Sequence, residues 1–92
     1  MTEAEFLERL QASGRSDDMH ALIDKLGFKR DFIVKNVLSA AGSVNVAQIA
    51  MLWMGMPNKH DRKRTRQLLD ALTEAGLLSF DAGSESWTPL PA

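Results

Sequence analysis

A cluster of cationic side chains between residues 59 and 66 has the clearest capacity for binding chemistry in this 92-residue sequence. The segment reads K-H-D-R-K-R-T-R and holds five lysines or arginines against one aspartate, a local charge of +4 before His60 is counted. Ammonium and guanidinium groups bind phosphates and carboxylates, and arginine can do so bidentately. The cluster therefore indicates a binding surface for a polyanion or an acidic partner.

The same residues belong to an expected helix whose charges oppose its own dipole. Asn58, with Asp61 three residues later, forms a variant capping box at the helix start. The cations crowd the N-terminal half, whereas Asp70 and Glu74 lie near the C-terminus. A helix dipole favours the opposite arrangement by about 0.3–1 kcal/mol per exposed charge. We infer that an anion meets this end of the helix, and a basic face kept only for solubility is the alternative.

Other arrangements that could do chemistry are weak. The sequence has no cysteine, no glycine-rich phosphate loop and no nucleophile motif. His20 lies at helical spacing from Asp17 and Asp24, but a surface salt-bridge cluster explains this set better than a metal site does. We therefore expect no catalytic residue, no metal ion and no cofactor, in a protein that is not an enzyme.

The length and composition of the sequence are typical of one small domain. The net charge is −1 and 45% of the residues are hydrophobic, so the basic face is carried on a nearly neutral body. No apolar run approaches the roughly 20 residues of a membrane-spanning helix, and the N-terminus M-T-E-A-E-F lacks a signal-peptide pattern. We expect a cytoplasmic protein with no membrane contact.

The elements that must position the basic helix are also readable from the sequence. Periodicity and capping residues predict four preceding helices: one before Ser13-Gly14, one from Ser16 or Asp17 to Gly27, one over about residues 29–41, and one over Val46–Met54. A very short strand is expected at Ser43-Val44, and a hairpin around the turn Ala82-Gly83-Ser84. The buried residues are expected to include Ile49, Leu52 and Trp53 of the fourth helix and Trp87 of the hairpin.

From about residue 29 onward, the expected order is helix, short strand, helix, turn, helix and hairpin. Together with S-V-N-V-A-Q-I-A at residues 43–50 and L-L-D-A-L-T-E-A-G-L-L at residues 68–78, this order resembles the winged helix-turn-helix superfamily. The resemblance implies an α+β, mostly α fold. Residues 29–92 would form a winged-helix domain of three helices and a small antiparallel β-hairpin, and residues 1–28 an N-terminal two-helix extension, in one compact unit.

The resemblance further implies a small DNA-binding protein, a transcriptional regulator whose partner is double-stranded DNA and whose helix 59–75 lies in the major groove. On a helical wheel centred on Leu72, Asp61, Thr65, Leu68 and Leu69 point inward. The candidate base readers are Lys63, Arg66 and Gln67. The candidate phosphate contacts are Lys59, Arg62 and Arg64, and His60 could join them, although an exposed histidine without a role is the plainer interpretation.

A protein partner is the alternative to DNA, and the charge of the hairpin tip favours it. The hairpin tip, D-A-G-S-E at residues 81–85, carries acids where a DNA-contacting hairpin usually carries lysine or arginine. The chain could therefore be a non-enzymatic interaction module, an adaptor or inhibitor, whose basic helix docks an acidic partner.

An apolar helix face raises the same question. Met51 and Met54 project away from Ile49, and something must cover them. We expect the N-terminal helix pair to do so. The alternative is a partner or dimer surface, which could include Phe6 and Leu10 if two protomers pair or exchange their N-terminal helices.

Overall fold

The computed structural model describes residues 1–91 and consists of five helices followed by one two-stranded hairpin. The elements are α1 (Glu3–Ala12), α2 (Ser16–Leu26), α3 (Arg30–Ile33), α4 (Val46–Met54), α5 (Lys59–Glu74), β1 (Leu78–Asp81) and β2 (Ser86–Pro89). Helix α3 continues directly into a π-helical turn, Val34–Leu38. The expectation of an α+β, mostly helical fold with an antiparallel hairpin is confirmed.

Side-chain caps begin α1, α4 and α5 where the sequence predicts them. At α5, the Asp61 N–H donates to Asn58 Oδ1 at 2.9 Å, and the Asn58 N–H donates to Asp61 Oδ2 at 3.0 Å. Asn45 caps α4 by accepting from the Gln48 N–H at 2.8 Å. Helices α2 and α3 begin without a side-chain cap, and since α2 begins at Ser16 after Arg15, the cap expected from Ser16 or Asp17 is wrong.

One hydrophobic core joins the two N-terminal helices to the rest of the chain. Helix α1 packs on α2, and α2 packs on α5. The fully buried side chains come from both segments and include Phe6, Leu10, Ile23, Leu68, Leu69, Leu72 and Trp87. The expectation that Phe6 and Leu10 could form an exposed partner surface is wrong, because both side chains are buried in the core of their own chain, whereas exchange of the N-terminal helices between protomers stays a prediction.

The hairpin is fastened to the helices through Trp87. In the antiparallel register, Phe80 pairs with Trp87. On its other side Trp87 forms an isolated bridge with Val44, with both N–H to C=O distances at 2.8 Å. The short strand expected at Ser43-Val44 is thus this single bridge, which anchors the segment before α4 to β2.

The inward face of α4 differs from the expected one. The side chains that face the core are Ile49 and Ala50, which are buried, with Val46 and Trp53 partly buried against them. These four positions follow the i, i+3, i+4, i+7 stripe of a helix, and Leu52 lies outside that stripe. Leu52 is 57% exposed, so the expectation that it belongs to the core is wrong.

Candidate functional site

A groove of about 750 Å³ lies beside α5, between its outward face, the start of α4 and the hairpin. Its α5 lining is Lys59, Arg62, Lys63, Arg66, Gln67 and Asp70, and the remaining lining is Asn45, Val46, Ala47, Ser84, Glu85 and Trp87. We call this space the α5 groove. It brings together five of the seven residues predicted to bind DNA, whereas His60 and Arg64 do not line it.

One end of the α5 groove is cationic. Lys59, Arg62 and Lys63 are exposed, and none of them forms an ion pair with any carboxylate among residues 1–91. Arg62 is partly anchored, because its Nη1 donates to the Pro57 carbonyl at 3.1 Å. This end can therefore attract an anion without first breaking an internal salt bridge.

The other end of the α5 groove is acidic and holds Arg66. The Arg66 Nε lies 3.5 Å from Asp70 Oδ2, and its Nη1 lies 3.5 Å from Glu85 Oε1. The guanidinium carbon also lies 5.5 Å from the centre of the Phe80 ring and 5.4 Å from that of Trp87. The groove thus runs from three unpaired cations at one end to one arginine beside two carboxylates at the other.

Arg64 has partners within the protein and lies outside the groove. Its Nη2 donates to Asp61 Oδ1, and its guanidinium carbon lies 4.9 Å from the centre of the Trp53 ring on α4. The Trp53 ring in turn stacks on Phe28, with ring centres 4.0 Å apart. The Arg64 side chain thus holds α5 against α4, and the expectation that it also contacts phosphate stays a prediction.

The carboxylate that pairs with Arg64, that of Asp61, is held by hydrogen bonds at the start of α5. Asp61 is buried, in agreement with the helical wheel. The hydrogen bond from the Asn58 backbone N–H, followed by the one from Arg64, holds the pKa of Asp61 below its ordinary value. Nearby His60, which is exposed, contributes a smaller effect in the same direction. Asp61 therefore stays ionised and fixes the beginning of α5.

An apolar surface continues from the groove along α4. Met51 and Met54 are exposed, so the expectation that the N-terminal helices cover them is wrong. Ala47, Met51 and Met54 share one face of α4 by their spacing, and Ala47 lines the groove. Sequence reasoning missed two further exposed side chains, those of Leu52 and Met56, the latter 94% exposed.

The residues that neutralise Arg66 were also not identified as site residues from the sequence. Asp70 is four residues from Arg66, and this spacing predicts an ion pair on a helix surface. Glu85 is distant in the sequence and reaches Arg66 only because the hairpin folds back beside α5. The sequence spacing therefore predicts the contact of Arg66 with Asp70, whereas no pattern in the sequence predicts its contact with Glu85.

Neither a metal centre nor a membrane span is found in the part of the chain that the structure describes. Within residues 1–91, no three histidine, aspartate or glutamate side chains are grouped so that they could hold a metal ion. No helix in that range has the length and apolar character needed to cross a bilayer. Comparisons with protein-family models, with curated proteins and with solved structures found nothing that matches this chain.

Proposed function

We propose that this chain is a small winged-helix DNA-binding protein, a non-enzymatic transcriptional regulator that inserts α5 into the major groove of duplex DNA. The observation that supports the proposal most strongly is the cationic end of the α5 groove, where Lys59, Arg62 and Lys63 share one surface and have no carboxylate partner among residues 1–91. In this proposal α4 is the supporting helix, α5 the recognition helix and the hairpin the wing.

The dimensions and side chains of α5 suit that role. Its 16 residues span about 24 Å at 1.5 Å per residue, and a major groove about 12 Å wide admits one helix. Lys59 and Arg62 would contact phosphates and set the position of the helix. Lys63 and Gln67, which follow on the outward face, would read guanine and adenine edges.

The acidic hairpin restricts how DNA can lie. Glu85 and Asp81 are exposed near its tip, and phosphates would be repelled by both. Phosphate contacts would therefore concentrate at the Lys59 end of the groove, with the hairpin kept away from the backbone. With few phosphate contacts, one protomer should bind weakly, within the range of about 10⁻⁴–10⁻⁶ M typical of non-specific association.

Fluorescence anisotropy with labelled duplex DNA at low salt tests the proposal. Wild-type protein should bind, and Arg62→Ala should weaken binding to all sequences alike. Gln67→Ala should instead flatten the sequence preference obtained by selection from randomised duplexes. Arg15→Ala serves as the matched control, because Arg15 is exposed and lies outside the α5 groove. If the wild-type protein fails to bind any duplex at low salt, the proposal is wrong.

A second candidate function is docking of an acidic protein, and the exposed apolar face of α4 favours it. Met51 and Met54 adjoin the groove through Ala47, so one partner could place acidic residues against the cations and apolar residues against the methionines. A pull-down from native lysate after nuclease treatment tests this. A partner lost with both Lys63→Glu and Met51→Gln would favour it, and recovery of nucleic acid alone from untreated lysate would count against it.

A further inference from the structure

The guanidinium of Arg66 lies beside two carboxylates but makes no hydrogen bond with any of residues 1–91. Two carboxylates lie at 3.5 Å and the centres of two aromatic rings lie within 5.5 Å of the guanidinium carbon, yet no acceptor among residues 1–91 forms a hydrogen bond with its N–H groups. By contrast, Arg62 and Arg64 each donate to a protein oxygen. Since a guanidinium offers five N–H donors, Arg66 retains its full capacity to bind an incoming oxygen acceptor.

The backbone at Glu85 supplies an independent observation. Its φ is 49°, and among residues 1–91 it is the one non-glycine residue with positive φ. Side chains disfavour this left-handed conformation, and glycine adopts it at no steric cost. The turn therefore carries a glutamate where glycine would be less strained, and the carboxylate of that glutamate lies against Arg66. Strain of this kind tends to be retained at functional positions.

The position of this pair connects it to the ligand. Arg66 and Glu85 both line the α5 groove, and Arg66 follows the unpaired cations along α5. The Glu85 side chain is about three-quarters exposed, so it can leave Arg66 by changing rotamer while the hairpin stays in place. Asp70 would remain beside Arg66, fixed on the same helix four residues away.

We propose that Glu85 is an internal substitute for the anionic ligand: it neutralises Arg66 in the unbound protein and is displaced by an acceptor oxygen of duplex DNA. This inference rests on the proposed function. The acceptor is a phosphate oxygen or the O6 edge of guanine, both of which pair with arginine. Glu85 thereby determines which ligands contact Arg66, because a ligand must first displace the Glu85 carboxylate.

A double-mutant cycle of duplex-DNA binding tests the proposal. Glu85→Gln should tighten binding by about 2- to 5-fold at low salt, the range expected for release of an exposed ion pair. In an Arg66→Gln background the same substitution should change nothing, because no arginine is released. Glu8→Gln makes an identical charge change at an exposed residue outside the groove and should leave the affinity unaltered.

Two readouts identify which acceptor replaces Glu85. If it is a phosphate, the slope of log affinity against log salt should steepen by about 0.9 in Glu85→Gln. If it is a guanine edge, the slope stays the same and Glu85→Gln strengthens the preference for guanine at one position. A second variant, Glu85→Gly, also removes the backbone strain and should tighten binding as well. It tests the proposal even if the Glu85→Gln protein folds poorly.

The outcomes separate this inference from the proposed function. Equal tightening by Glu85→Gln with and without Arg66 would indicate a general field effect and overturn the inference. Unchanged affinity in Glu85→Gln and Glu85→Gly, with wild-type binding intact, would overturn it while leaving the DNA-binding proposal standing. If no variant binds duplex DNA, both are wrong.

Discussion

The number of unpaired cations in the α5 groove sets the salt dependence expected of DNA binding. Lys59, Arg62 and Lys63 have no carboxylate partner among the described residues, whereas Arg66 is neutralised by Asp70 and Glu85. Each phosphate contact contributes about −0.9 to the slope of log affinity against log salt, so three contacts predict a slope of about −2.7. The double variant Lys59→Ala, Lys63→Ala leaves Arg62 alone and should have a slope of about −0.9.

These slopes translate into a large measurable difference. Between about 50 and 200 mM salt, a fourfold change, the affinity of the wild-type protein should fall by about 40-fold. Over the same interval the affinity of the double variant should fall by only about 3- to 4-fold. The difference arises because two fewer bound counterions are released from the DNA when the variant binds.

Fluorescence anisotropy of a short labelled duplex, titrated at several salt concentrations, measures both slopes. The matched control is Lys25→Ala, Lys35→Ala, which removes the same two charges from exposed positions outside the groove. Its slope should equal that of the wild-type protein. Lys59 and Lys63 do not contact phosphates if the groove variant keeps the wild-type slope, or if the slope of the control variant falls as much as that of the groove variant.

Three further predictions concern the stability of the fold. Arg64→Ala removes the contact with the Trp53 ring and should lower the free energy of unfolding, measured in urea, by at least about 0.5–1 kcal/mol. Arg15→Ala, which breaks an exposed ion pair, should lower it by less than about 0.5 kcal/mol. Leu52→Ser should likewise change the unfolding free energy by less than about 0.5 kcal/mol, but Ile49→Ala on the same helix should cost about 2–5 kcal/mol. Because the pKa of Asp61 in the folded protein is held below 3.8, its ionised carboxylate stabilises the fold at pH values above 3.8. This stabilisation is lost as the pH falls through the lowered pKa. Asp61→Asn should therefore flatten the low-pH part of a plot of melting temperature against pH.

The features that sequence reasoning predicted correctly are those set by neighbours along the chain. The capping pair Asn58 and Asp61 marks the start of α5, which begins at Lys59 as expected. The buried face of α5 also agrees with its periodicity, since Thr65 and Leu69 are both buried. Helix α5 is polar on one side and apolar on the other, so its pattern allows only one orientation.

Helix α4 shows why the same method fails elsewhere. Its sequence V-A-Q-I-A-M-L-W-M is apolar on nearly every side, so periodicity could not determine which side faces the core. Two orientations place Ile49 inward, and they differ in whether Leu52 or Ala50 is buried beside it. The tertiary contact with α5 decides this, since Arg64 packs on Trp53 and Ala50 is fully buried. The exposure of Leu52 follows from that packing.

The site residues that lie on α5 could be predicted from the sequence. The helical wheel placed Lys63, Arg66 and Gln67 on one outward face, and all three line the groove. It could not show that Arg64 packs on α4, or that Glu85 neutralises Arg66, because both contacts depend on how separate elements meet. Contacts between elements distant in sequence leave no periodic pattern from which they could be read.

Three cations of α5, Lys59, Arg62 and Lys63, oppose the helix dipole without an internal carboxylate partner, whereas Arg64 and Arg66 are paired with carboxylates of residues 1–91. Packing of the apolar side of α5 stabilises the helix by far more than its charges can destabilise it, at about 1.5–3 kcal/mol per buried leucine. The double variant Lys59→Ala, Lys63→Ala should therefore be more stable than wild type by about 0.5–1.5 kcal/mol, through relief of dipole and like-charge repulsion. Urea unfolding of the protein used for the binding assay measures this. Higher stability with weaker DNA binding would show that the two lysines are retained for binding, and a loss of stability would show that they serve the fold.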